Sequence, residues 1–252
     1  MSDWYASQSG ERALRAQRVL LRHNLSSRRR AGCALLEINC GRGQFLPLLV
    51  QCGFDVTATE ANAHDRAAAT ALCRHADILA ASDDCLPFED DAFDHALLHL
   101  ADASARAVEL AIAEAFRVVK ASLLVTFWNT LSPTWLLARL RGHKADWPQT
   151  PCNWLTVWRK LRRLRSGRIT CAGVPCVPES PGRKTSGLVL RPWGPLAAWS
   201  LLLLDMTPPR AVTPLPLRLE RPCLQAPEPA LEYGDCGPSS RTQSANVSPD
   251  MS

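Results

Sequence analysis

One short stretch limits what this chain can fold into: Leu35-Leu36-Glu37-Ile38-Asn39-Cys40-Gly41-Arg42-Gly43-Gln44-Phe45. An apolar run over residues 33–38 suits a strand buried on both faces. It ends in a turn with two glycines one residue apart, and an apolar helical pattern follows, with Phe45, Leu48, Leu49 and Cys52 on one face. Pro47 falls in the first turn of that helix, where its missing N–H costs little, and Gly53 is placed to end it. A buried strand, a glycine turn and a helix in that order are the opening unit of a doubly wound α/β sheet. The helix N-terminus then offers free N–H groups and a positive dipole end beyond the carboxyl end of the strand.

The rest of the first half repeats the alternation. Strands are expected over 54–59, 75–81, 93–100 and 123–127. Helices are expected from Asn62 to about Cys73 and over 104–119, the second with Val108, Ile112, Phe116 and Val119 on one side. Alternating strands and helices imply right-handed crossovers and a mostly parallel sheet with helices on both faces. Beyond residue 128, a basic helix is expected over 154–164. Strands over 168–177 and 199–206 are expected to form an antiparallel hairpin at the sheet edge. The expected organisation is an N-terminal helical segment over 1–30 and one domain over 31–221. That domain comprises a cofactor half, 33–127, and a variable half, 128–221. The polar, proline-rich residues 222–252 are expected to be disordered.

With 252 residues, 46% of them hydrophobic, the chain can bury a core of this size, and its formal charge of +5 permits an anionic ligand without demanding one. Its ten cysteines include no CxxC pair, which suits small buried hydrophobes in a reducing compartment rather than a disulfide framework, and no metal site is expected. A zinc site around Cys152, Cys171 and Cys176 would have spacing that fits no standard ligand pair. The N-terminus lacks a secretory apolar region and the apolar stretch 196–204 is far too short to span a bilayer, so a cytoplasmic protein with no membrane partner is expected.

Glu60 closes the second strand, 19 residues after Gly41. A carboxylate there can accept hydrogen bonds from both hydroxyls of a ribose, although a solvated strand-end acid is the plainer reading. A dinucleotide turn wants a third small residue where this chain has Leu46. It also places a pyrophosphate where Glu37, inside the strand before the turn, would repel it. The same acid suits the ammonium of a methionyl group, which favours S-adenosylmethionine over NAD.

At this point Glu37-Ile38-Asn39-Cys40-Gly41-Arg42-Gly43 resembles the first motif of class I S-adenosylmethionine-dependent methyltransferases. Leu86-Pro87-Phe88-Glu89-Asp90-Asp91-Ala92-Phe93-Asp94 resembles the join between strands three and four in their small-molecule, type 11-like branch. Ala115-Phe116-Arg117-Val118-Val119-Lys120 resembles the helix before strand five. The resemblance covers residues 33–127. It implies that Glu37 orients the methionyl amino group and that Asn39, Gly41 and Gly43 line the methionyl and ribose portion. It further implies that Glu60 and Ala61 hold the ribose, that Ser82 or Asp83 meets the adenine edge, and that His99 and Leu100 border the transferred methyl. Asn39 stands where glycine is usual, and the usual Pro-Gly-Gly turn before strand five is absent.

Methyl transfer from a sulfonium is an in-line displacement, so positioning can supply much of the catalysis. A general base is needed only for an acceptor that must lose a proton, and His99 is the candidate. Trp4 and Tyr5, as part of an N-terminal lid, and Trp128 and Asn129, after strand five, are candidate acceptor contacts; packing roles serve equally for all four. The expected function is methyl transfer to a small molecule. An RNA methyltransferase using the basic run Arg159-Lys160-Leu161-Arg162-Arg163-Leu164-Arg165 is the alternative within the same chemistry. A degenerate cofactor-binding or interaction module without turnover is the alternative outside it.

Overall fold

The computed structural model describes residues 3–26, 32–102, 104–142, 147, 149–164, 167–174 and 191–206, all within one compact unit, Met1–Pro209. The expected tail over 222–252 lies outside these residues, as does Cys176.

Seven strands form one sheet in the order β3-β2-β1-β4-β5-β7-β6. They are β1 (Ala34–Ile38), β2 (Asp55–Thr59), β3 (Asp77–Leu79), β4 (Phe93–His99), β5 (Val119–Trp128), β6 (Arg168–Val174) and β7 (Trp199–Asp205). The five strands from β1 to β5 pair in parallel, and β7 pairs antiparallel with both β5 and β6. This is the expected Rossmann-like sheet, and the antiparallel hairpin sits at the edge with its second strand placed inside its first.

The leucine-rich strands have no polar face because both sides of the sheet are covered. Leu35, Leu97, Leu201 and Leu203 join a core with α1 (Gln8–Ser26) and α2 (Leu46–Gln51), reached also by Ala69 of α3 (Ala63–Leu72). Their neighbours Leu36, Leu98, Leu202 and Leu204 point the other way, into a core with α4 (Ala105–Arg117) and α6 (Trp154–Leu164). Asn62 caps α3 by accepting from the His64 and Asp65 N–H groups, as its position predicts.

Several bounds differ from the expectations. The helix after the glycine turn begins only at Leu46 and has six residues, because residues 41–45 are spent on turning the chain. The third strand keeps three residues. β5 starts at Val119, not Leu123: α4 ends at Val118 in a helical conformation, and the chain enters the strand with no glycine turn between. A helix the sequence reading did not foresee, α5 (Pro133–Leu140), follows β5. Short 3-10 turns at Asp3–Ala6 and Arg191–Leu196 were likewise not foreseen. Among the described residues no helix is long and apolar enough to cross a membrane.

Candidate functional site

The bend after β1 is built from backbone conformations that most residues avoid. Asn39, Gly41 and Gly43 all lie at positive φ (58°, 56° and 77°). At Gly43 space adds to the requirement, since a Cβ there would meet Leu46 Cδ1 at 2.9 Å and the Ala69 Cβ at 3.0 Å. The bend is tied down from three sides. The Gly41 N–H donates to Glu60 Oε2 at 2.8 Å, whose other oxygen accepts from the Asn62 N–H at 2.9 Å. The Asn39 amide donates to Asp83 Oδ2 at 2.7 Å and to the His99 carbonyl at 3.1 Å. Arg18 of α1 donates to the Gln44 carbonyl at 2.8 Å.

Behind the bend lies a buried polar chain. Glu37, with none of its surface exposed, meets His99 Nε2 at 2.9 Å through Oε1. His99 Nδ1 meets the Thr126 hydroxyl at 2.6 Å. The Thr126 hydroxyl also lies 3.4 Å from the Leu98 carbonyl, so its one proton can go to that oxygen or to Nδ1. Glu37 Oε2 is buried with no hydrogen-bond partner. Phe45 stacks on the His99 ring at 5.2 Å. Burial first, and then the charges of Glu37 and Glu60, push the Cys40 thiol well above its ordinary value.

A small pocket opens at this point, walled by Asn39, Cys40, Phe45 and His99 from the bend and β4, and by Tyr5 and Trp199 from outside. It encloses about 10 Å³, room for one water. Burial also pushes the Tyr5 hydroxyl up to about 12.

The sequence-derived candidates therefore fall into two groups. Asn39, Gly41, Glu60, Asp83 and His99 converge on the bend, and Glu37 reaches it through His99. Of the Ser82/Asp83 pair, Asp83 is the one bonded to the bend, while the Ser82 hydroxyl donates to Asp84 at 2.5 Å. Ala61 is exposed and its carbonyl accepts from Arg66 at 3.2 Å. Leu100 packs in the α4 core. Trp4 sits edge-on to Trp128 at 5.2 Å, and Trp128, fully buried, stacks on Trp147 at 5.0 Å. Asn129 is also fully buried; its amide donates to the Pro195 and Ala197 carbonyls at 2.7 and 3.0 Å, joining the end of β5 to the approach of β7.

Thr126, Phe45 and Trp199 escaped the sequence reading, since each belongs to the site only through sheet register or stacking. Among the described residues no three His, Cys, Asp or Glu side chains are grouped to hold a metal ion.

Residues 36–125 match the family model described as a methyltransferase domain. No curated protein matches the sequence. Solved structures share the fold. An S-adenosylmethionine-dependent methyltransferase from Thermotoga maritima, described as a possible histamine N-methyltransferase, aligns with a TM-score of 0.57 at 17% identity, over 78% of this chain and 94% of that one. The magnesium protoporphyrin IX methyltransferase of Synechocystis, with S-adenosylhomocysteine bound, aligns with a TM-score of 0.56 at 11% identity, over 78% and 84%. The PH0226 protein of Pyrococcus horikoshii aligns with a TM-score of 0.57 at 15% identity, over 81% and 99%.

Proposed function

We propose, from the match of residues 36–125 to the methyltransferase-domain model, that this chain is a class I methyltransferase that uses S-adenosylmethionine to transfer a methyl group to a small-molecule acceptor at the crevice beyond β1 and β4. The observation that carries the reading is the bond between the Gly41 N–H and Glu60 Oε2 at 2.8 Å. It sets a partly exposed carboxylate against the bend. A carboxylate has roughly four acceptor positions; the backbone uses two here, which leaves two for the hydroxyls of a ribose.

At the other end the fit is tighter. Glu37 Oε2 is a buried acceptor without a donor, the type of group that a methionyl ammonium, or a water bridging to it, would satisfy. It lies behind His99, and the pocket in front holds only about one water. Cofactor binding therefore requires outer-wall side chains such as Tyr5 to move aside. Bound, S-adenosylmethionine supplies an electrophilic methyl. This chain's contribution is to orient the two reactants and exclude water. His99 has both ring nitrogens engaged, so it serves an acceptor as base only after a partner releases the nitrogen that carries no proton. An acceptor that carries its own lone pair would not need that step.

The same tight pocket favours a second reading, a domain that keeps the fold and has lost turnover. Calorimetric titration with S-adenosylmethionine, S-adenosylhomocysteine and NAD, on the wild type and on Glu60→Ala, separates the two. Binding of the first two ligands alone, weakened at least tenfold in Glu60→Ala, supports the enzyme. This rests on a lost charge-assisted pair contributing about 1.5–3 kcal/mol. No binding of either sulfur nucleoside by the wild type supports the inactive domain.

A further inference from the structure

The helix α5 has no buried residue, although Trp135, Leu136, Leu137 and Leu140 make up half of it. Leu136, Leu137 and Leu140 are 44%, 46% and 82% exposed. At about 100° per residue these leucines fall in one arc roughly 100° wide. Arg139 stands at one margin of that arc, and Arg141, just past the helix end, stands at the other. The Arg139 guanidinium lies over the Trp135 ring at 5.3 Å. No carboxylate occurs anywhere from Trp128 to Gly142.

The neighbouring helix repeats the chemistry. α6 contains no acid either; Arg159, Arg162 and Arg163 are exposed beside Leu155, and Lys160 pairs with Glu109 of α4. Both helices leave the same point, because Asn129 and Cys152 form a parallel bridge and the Thr130 N–H donates to the Cys152 carbonyl at 3.0 Å. That point is the carboxyl end of β5, the end of the sheet at which the crevice lies.

We propose that the leucine ridge of α5, with the arginines of α5 and α6, is a docking surface for an anionic lipid bilayer. The argument is one of matched chemistry. Leucines standing side by side in water gain by leaving it, and the arginines framing them gain by meeting phosphate. A bilayer surface supplies acyl chains and phosphates at adjacent depths, whereas a nucleic acid backbone offers the arginines a partner and leaves the leucines wet. The helix is short and amphipathic, so it lies on the membrane and does not cross it. A ridge of this size gives reversible, salt-sensitive binding. No residue of α5 or α6 is among those that form the bend or its pocket, so the proposal does not depend on the reading given to the crevice.

Cosedimentation of the full chain with vesicles tests it. Binding is expected to equimolar phosphatidylcholine and phosphatidylglycerol and not to phosphatidylcholine alone. Leu140→Glu alone, at the most exposed position, is expected to weaken it at least tenfold, and the combined Leu136→Glu, Leu137→Glu and Leu140→Glu variant to abolish it. Arg139→Gln is expected to lower it roughly fivefold, as about 1 kcal/mol per basic residue implies. The circular dichroism of Leu140→Glu is expected to match the wild type. Failure of the wild type to sediment with anionic vesicles would overturn the proposal, as would undiminished binding by Leu140→Glu. So would a leucine-insensitive affinity for an RNA oligonucleotide that exceeds the vesicle affinity, or a change confined to self-association in the ultracentrifuge.

Discussion

Glu37 is the residue on which the site's electrostatics turn, because it is a fully buried acid that meets a histidine on another strand. Removing that partner should be expensive. His99→Ala leaves the carboxylate buried and unpaired, and a loss of about 3–5 kcal/mol is expected by urea denaturation. The double variant Glu37→Leu/His99→Ala should recover most of it. A loss under about 1 kcal/mol in His99→Ala would mean that the carboxyl is neutral or reached by water. The sequence showed that Glu37 and Glu60 sit at the ends of successive strands, since strand position and chain distance are local facts. It did not show that Glu37 and His99 meet. They are far apart in the chain and meet only because β1 and β4 are neighbours in a register that sets Glu37 opposite Leu97. For Asn129, residue type and position leave a pocket-wall role and a packing role equally open, and the fold has its amide donating to the Pro195 and Ala197 carbonyls.

At the scale of elements, the bend and α2 depend on one another. Gly43 is needed both for its conformation, at φ 77°, and for the space that Leu46 and Ala69 take beside it. Gly43→Ala should destabilise the domain by about 1–3 kcal/mol through crowding alone, read as a lowered urea midpoint with an unchanged slope. An unaltered midpoint would mean that α2 shifts without cost. Elements with a repeating apolar pattern, α4 and the leucine strands, were legible in the sequence. α5 was overlooked although its start signal was present: Ser132 caps the Trp135 N–H at 3.3 Å and Pro133 opens the helix. What hid it was the lack of a buried face, since periodicity reports packing and α5 has no buried residue. The start of β5 was misplaced for a different reason. Without the usual Pro-Gly-Gly, a shortened turn is expected just before Leu123, whereas the chain passes from helix to strand at Val118.

Among the described residues, burial holds three acidic protons in place: those on the thiols of Cys40 and Cys152 and on the hydroxyl of Tyr5. Burial raises Cys152 from 9.0 to about 12 and Tyr5 from 10.0 to about 12, and raises Cys40 as well. In the unfolded chain these groups ionise near their ordinary values, so between about 9 and about 12 the folded state binds more protons. Stability is then fully present below about pH 9 and lost as the pH rises through about 12. Urea midpoints measured from neutral pH upward should fall across that window; a flat profile would mean that solvent reaches all three groups.

The sheet's far edge has a further consequence for how the chain is assembled. β7 lies between β5 and β6 yet follows both in sequence, so during synthesis two strands leave the ribosome before the one that joins them. Until Trp199–Asp205 emerges, β5 shows an apolar flank with unpaired backbone groups, and β6 has no strand to pair with. The nascent protein is therefore stickiest late in its making, and insertion of a single leucine-rich segment closes both gaps at once.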